Sequence, residues 1–225
     1  YTCDDVNPTL SIMLRDKPST VDQFIAFGSV VTQARFQLGA AIPPVDFSFL
    51  SRWLVSKDQF PATDTPGKGG LGSFPTEPAS PVTNGVPPRG RTGTITLDGN
   101  VYTTFLSGSI TIATGKTLSN PDWGSAYAGD PQSSFRTVTA DLELYDDDSV
   151  NLAALKGKAL SKTPVDVTLT IGSIAGNIWS FLLKNLILPL PSYDRSGTRR
   201  TVRFPNIQAA ATTVSSKDEI RLTIT

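Results

Sequence analysis

Apolar and polar residues alternate along much of this chain with a period of two. The segment TVTADLELY, residues 137–145, sets Val138, Ala140, Leu142 and Leu144 on one side and Thr139, Asp141 and Glu143 on the other. VDVTLTI does the same with Val165, Val167, Leu169 and Ile171. Near the end of the chain, EIRLTIT alternates Ile220, Leu222 and Ile224 with Arg221 and Thr223. Successive side chains of an extended chain point to opposite faces. These segments therefore predict half-buried strands of an antiparallel sheet, one face dry and the other wet or against a partner.

Weaker copies of the pattern precede them. TLSIML carries Leu10, Ile12 and Leu14; VTQARFQL carries Ala34, Phe36 and Leu38; VDFSFL carries Val45, Phe47 and Phe49. In GTITLDGNVYTTF, Asp98-Gly99 sits between two alternating runs and supplies the positive φ angles of a tight hairpin turn. Further strands are expected over 109–113, 177–183 and 201–204.

One segment reads as a helix. In DDDSVNLAALKGKAL, Asp148 or Ser149 suits the N-cap, and the three preceding carboxylates suit the positive end of a helix dipole. Leu152 and Leu155 lie three apart, Gly157 is the expected stop, and Lys156 and Lys158 suit the negative end. The fold class expected is all-β, a sandwich or partial barrel, with one short helix.

Residues 60–93 differ in kind. Seven prolines and seven glycines interrupt any period there. A structureless stretch of that length inside a compact domain is uncommon and points to a functional loop or a linker. Each flank alone would have a weak core, so the chain is expected to be one domain, 1–225, with a Pro/Gly-rich insertion over 61–93. A second loop is expected at 119–134, with Trp123 and Tyr127 among glycines and prolines.

Composition narrows the chemistry. The 225 residues hold 20 Lys plus Arg and 20 Asp plus Glu, so net charge is zero, against a strongly basic nucleic-acid reader. With no histidine, His-based triads and His-ligated metals are excluded, and the single cysteine, Cys3, excludes an intrachain disulfide and a Cys-cluster zinc site. No apolar run approaches the roughly 18 residues that span a bilayer, so no membrane anchor is expected; no signal peptide is visible.

The candidates that remain each have a plain structural reading. Asp141 and Glu143 share a strand face, as the carboxylate pair of a glycosidase must share a site, but a solvated or interfacial face explains them as well. Asp146, Asp147 and Asp148 lack the pattern of a calcium loop and read as capping residues. GKGGLGS, with Gly67, Gly69, Gly70 and Gly72, lacks the spacing of a phosphate loop. Arg199, Arg200 and Arg203 read as surface partners of Asp or Glu. The tryptophans, Trp53, Trp123 and Trp179, read as core or interface residues, with a sugar-stacking platform at Trp123 and Tyr127 as the alternative. No catalytic, cofactor-binding or metal-ligating residues are assigned.

In their order along the chain, several segments resemble the tail tube proteins of long-tailed bacteriophages. FIAFGSVVTQARFQLGAAIPPVDFSFLSRWLVSKDQF is similar to that family's early pattern of a Tyr/Phe-x-Gly turn, a strand, a second strand and a polar break. Ser29 stands where the family often has a cysteine. TGTITLDGNVYTTFLSGSITIATGKTL resembles its central hairpin and Ile/Thr strand, and FRTVTADLELYDDDSVNLAALKGKAL its Arg-led strand and short helix.

The resemblance implies a non-enzymatic structural protein without cofactors. It implies hexameric rings whose inner strands join into a continuous barrel, stacked into the virion's tail tube and assembled in the bacterial host cytoplasm. The partners implied are further copies of the chain, the tape measure protein, other tail proteins and, during ejection, viral double-stranded DNA in non-specific passage. The long loop would reach the next ring, with Phe74, Arg89 and Arg91 as contact residues. A terminator or distal tail protein of the same fold, and a carbohydrate-binding sandwich or adhesin, are the alternatives.

Overall fold

The computed structural model describes residues 10–15, 23–39, 41–56, 89–90, 93–120, 128–195, 197–213 and 216–225. Two antiparallel sheets face each other across a single core. The larger is built on β2 (Gln23–Leu38), β7 (Phe105–Ala113), β10 (Thr137–Tyr145), β14 (Thr201–Gln208) and β13 (Ser192–Asp194), in that order. Three further strands join it through β2: β1 (Leu10–Arg15), β3 (Val45–Leu50) and β4 (Trp53–Ser56). The second sheet runs β15 (Ile220–Ile224), β12 (Trp179–Leu186), β11 (Val165–Ile171), β5 (Thr94–Leu97) and β6 (Asn100–Tyr102). A small ladder pairs β8 (Lys116–Leu118) with β9 (Pro131–Ser133).

The alternating runs put their apolar sides together. Val138, Ala140, Leu142 and Leu144 of β10 face Val167, Leu169 and Ile171 of β11 through a shared, buried core. Phe36 and Phe181 meet across it edge to face, with ring centroids 4.9 Å apart and planes at 62°. Such a pair contributes about 0.5–1.5 kcal/mol beyond the area it buries. The 98–99 turn has φ of 52° and 78°, the double positive φ that a two-residue hairpin of this twist requires.

β2 is longer than the 31–38 strand expected. Its first half pairs with β1 and β4, its second half with β7 and β3. Phe24, Ile25, Ala26 and Phe27 are apolar on both faces, which hides the period, yet Ile25, Ala26 and Val30 are buried there. Gly28 is not a turn before the strand but a kink inside it. Its φ is +59°, and a Cβ at that point would lie 2.8 Å from Cδ of Arg52. The 119–134 loop is also shorter than expected, because residues 131–133 form β9; Trp123 and Tyr127 lie outside the described residues.

No barrel closes. One corner is stitched by the Ile187–Gln208 bridge and by the Ala210 amide donating to the Lys184 carbonyl at 3.1 Å. Arg136, just before β10, also pairs with Glu219, just before β15, and among the described residues the architecture is a sandwich, not a closed barrel.

The helix α1 (Val150–Ser161) packs Leu152, Leu155 and Ala159 into the core. It passes through Gly157 and stops at Lys162, whose φ of 52° and ψ of 34° form the left-handed cap, with the Thr163 amide bonded to the Lys158 carbonyl at 3.0 Å. Gly157 is therefore not the stop: it faces open space, and no close backbone approach or positive φ requires a glycine there. Tyr102 Oη donates to the Asn151 carbonyl at 2.8 Å, and Lys158 pairs with Asp98, which ties the helix to the β5–β6 hairpin. Among the described residues no helix is long and apolar enough to cross a membrane.

Candidate functional site

The face of the larger sheet that turns away from the core is hydrophilic across four strands. Register places Gln37, Ser109 and Asp141 in one row, and Ser107, Glu143 and Arg203 in the next. Arg35, Thr111, Thr139 and Gln208 form a third. Arg35, Ser107, Ser109, Asp141, Glu143 and Arg203 line a shallow depression of about 230 Å³. Gly108 forms part of its floor; a Cβ there would sit 2.5 Å from the Asp141 carbonyl oxygen and 3.2 Å from the Phe105 ring.

Asp141 and Glu143 do lie side by side, but both are engaged within the sheet. Ser107 Oγ donates to Glu143 Oε2 at 2.8 Å, and Ser109 Oγ donates to Asp141 Oδ2 at 3.2 Å. The Asn206 amide donates to Asp141 Oδ1 at 2.9 Å, and Arg203 lies 3.9 Å from the same oxygen. The two carboxylates project from one strand onto one open face, not from opposite walls around a scissile bond as glycoside hydrolysis requires. Among the described residues no group of three or more Asp, Glu, Cys or His side chains is placed to hold a metal ion. What the arrangement provides is a broad, hydrogen-bonded polar wall.

A second charged group lies at the end of β10. Asp146 is fully buried at its side chain and faces Lys156 at 3.0 Å, with Arg200 on its other oxygen. Burial pushes its carboxyl up, but the Lys156 hydrogen bond and charge, with Arg200 and the Asp148 amide, outweigh that and hold it below the ordinary carboxylate range. Arg200 also reaches Asp148 at 2.9 Å, and Arg199 stacks over Tyr145 at 4.4 Å. The arginines at 199, 200 and 203 thus sit against Asp and Tyr partners on the surface.

Ser149 is the N-cap of α1: its Oγ accepts from the Leu152 amide at 3.2 Å. Asp147 Oδ1 accepts the Ser149 amide at 3.1 Å, and Asp148, at φ 52°, turns to Arg200 instead of to the helix. The three carboxylates therefore serve the approach to the helix, and none stands in its first turn. Of the loop residues, Arg89 is exposed, next to Gly90, whose amide donates to the Ala41 carbonyl at 3.2 Å. Phe74 and Arg91 lie outside the described residues.

Ser107, Ser109, Arg35 and Asn206 are absent from the candidates read from sequence. Pro205 offered a signal, since a proline inside a sheet marks an edge or a bulge. The serines offered none, because only the register brings them to the carboxylates.

The described residues thus form an open antiparallel sandwich with a hydrophilic outer sheet face. A model of the phage tail tube protein family matches residues 8–225, and the chain belongs to that family. It is thus a structural component of a phage tail. No curated protein matches the chain.

Proposed function

We propose that this protein forms hexameric rings that stack into the tail tube, and that the polar face of β2, β7, β10 and β14 lines the lumen. The observation that carries this reading is the contrast between the two faces of one sheet. One side is the dry core; the other holds a continuous field of Ser, Thr, Gln and charged groups over four strands. A wall of that kind suits a water-filled conduit for a hydrated polyanion such as double-stranded DNA. Its carboxylates, Asp141 and Glu143, repel phosphate, and Arg203 is held beside Asp141, away from a bare cationic trap. Passage without retention is the physical requirement.

On this reading the protein is not an enzyme, and its partners are its own copies, the tape measure protein and other tail proteins, with assembly in the host cytoplasm. The whole chain, 1–225, acts as one domain, and the 61–93 insertion reaches the neighbouring ring through Phe74, Arg89 and Arg91. Negative-stain electron microscopy of the purified chain tests it: rings or tubes are expected. A persistently monomeric preparation would overturn it. Deleting residues 67–90 is expected to leave the circular dichroism spectrum unchanged and to block stacking; tubes of normal length from that variant would remove the arm from the account.

A further inference from the structure

Three strands lose their regularity at one level of the larger sheet. β2 kinks at Gly28, whose φ is +59°. Its neighbour on one side breaks between β3 and β4, where continuation of the two ladders sets Ser51 opposite Ser29 and Arg52 opposite Gly28. On the other side β1 slips its register between Leu10 and Ile12, opposite Ser29 and Ala26. β7 ends just short of that level: the Thr114 amide donates to the Thr32 carbonyl at 2.9 Å, and Gly115, at φ +66°, turns the chain away into β8. β1, the first half of β2 and β4 therefore form a wing that leaves the sandwich along a single line.

The packing divides at the same place. Ala34, Phe36 and Leu38, beyond the kink, belong to the core shared by both sheets. Ile25, Ala26 and Val55 in the wing are buried too, but none of them is part of that core. Phe27 and Trp53 stack on each other within the wing, with ring centroids 5.8 Å apart. Two bodies that share strands but no core can turn and open independently. Arg52 spans the line between them. Its side chain passes over Gly28, Nε donates to the Ala128 carbonyl at 2.9 Å, and Nη1 pairs with Asp130 at 2.8 Å. Both acceptors lie just before β9, in the ladder that continues from β7.

We infer that the wing pivots as one body at Gly28 and Ser51–Arg52, and that Arg52 is the latch that holds it against the end of the β8–β9 ladder. Asp130 is largely open to water, so its pair with Arg52 forms and releases at little cost. The pivot itself does not depend on the tube reading. Its use rests on that reading: turning the wing changes the direction in which the chain leaves β4 at Ser56 for the 61–93 insertion, and so how the insertion meets a neighbouring ring.

Pulsed electron paramagnetic resonance tests it. In a Cys3→Ser background, Leu54→Cys on β4 and Ala153→Cys on the outer side of α1 carry nitroxide labels; both positions are exposed. The labelled chain is diluted into unlabelled chain, so that only distances within one copy are read, with or without rings. One narrow distance is expected with Arg52 in place; a broad distribution there would overturn the latch. Arg52→Ala is expected to double the width or add a second distance. Asp130→Ala, which leaves the Ala128 bond, is expected to give an intermediate width, and about 1 M salt, which screens the pair, to reproduce it. An unchanged narrow distribution in Arg52→Ala would overturn the inference. Hydrogen exchange separates a pivot from local unfolding. In Arg52→Ala the amides of 10–15 and 53–56 are expected to keep their protection; exchange tenfold or more faster there would mean that the wing melts, and would overturn the pivot. Neither measurement requires rings, so the pivot can fail with the tube reading intact, and the reverse.

Discussion

Asp141 accepts the backbone amide of Asn206 at 2.9 Å, and that bond closes a gap in the ladder. Between β10 and β14 the register slips, so that Pro205 and Asn206 together oppose the single residue Asp141. Asn206 takes φ +50°, and its amide turns to the carboxylate. The second sheet repeats the device: Lys184 and Asn185 oppose Asp166, Asn185 has φ +48°, and its amide donates to Asp166 Oδ1 at 3.0 Å. A bulge leaves one residue unpaired and bends its strand, and each aspartate supplies the lost acceptor. Both bulges flank the corner where the two sheets are joined.

Asp141→Ala removes that acceptor together with the one used by Ser109. The expected cost is about 1–3 kcal/mol, as for other bonds to a charged group. Urea denaturation measures the loss, and amide hydrogen exchange at Asn206 is expected to quicken more than at Val202.

Two glycines should respond in opposite senses to alanine. Gly157 lies in mid-helix with open space around it, so Gly157→Ala is expected to stabilise by about 0.5–1 kcal/mol. For a chain of this length that raises Tm by roughly 1–4 °C. Gly108→Ala would press a Cβ on the Asp141 carbonyl between two paired strands and should lower Tm. Differential scanning calorimetry of the pair decides both.

Ser149→Ala is expected to cost about 1 kcal/mol, the usual loss of an N-cap. Asp148→Ala removes an exposed pair with Arg200 and should cost no more than about 1 kcal/mol, leaving the helix start intact. Chemical shifts of the Leu152 amide distinguish them, because only the serine variant loses that bond.

A charge at Leu142 or Leu169 falls in the dry interior, where the two residues are 1% and 3% exposed. Leu142→Asp or Leu169→Asp forces an unpaired carboxylate into the core or neutralises it, at several kcal/mol. Loss of a cooperative melting transition is expected for both; a normal transition would place the core elsewhere.

Asp146 and Asp166 both have carboxyls held below their unfolded value of 3.8. Burial works against this at each site, and Lys156 with Arg200, or Lys184 with the Asn185 amide, outweighs it. Stability from these groups is thus fully present above the unfolded value. It is lost as pH falls from there through the folded values. Melting at pH 3 against pH 6 should show the loss. In Asp146→Asn the pH 6 value drops and the acid-dependent part shrinks.

The alternating strands, the 98–99 hairpin and the helix were legible because each depends on side chains close in the chain. A period of two, a pair of residues tolerant of positive φ, and leucines three apart are local facts. The polar face was half legible: Asp141 and Glu143 announced it, but Ser107, Arg35 and Arg203 joined them only through register, which pairing across the sheet decides. The helix end misled because Gly157 has the propensity to stop a helix, whereas burial of Ala159 extends it one more turn to Lys162. Bulges and the length of β2 belong to the tertiary structure alone. Each depends on which strands become neighbours, and no local pattern carries that information.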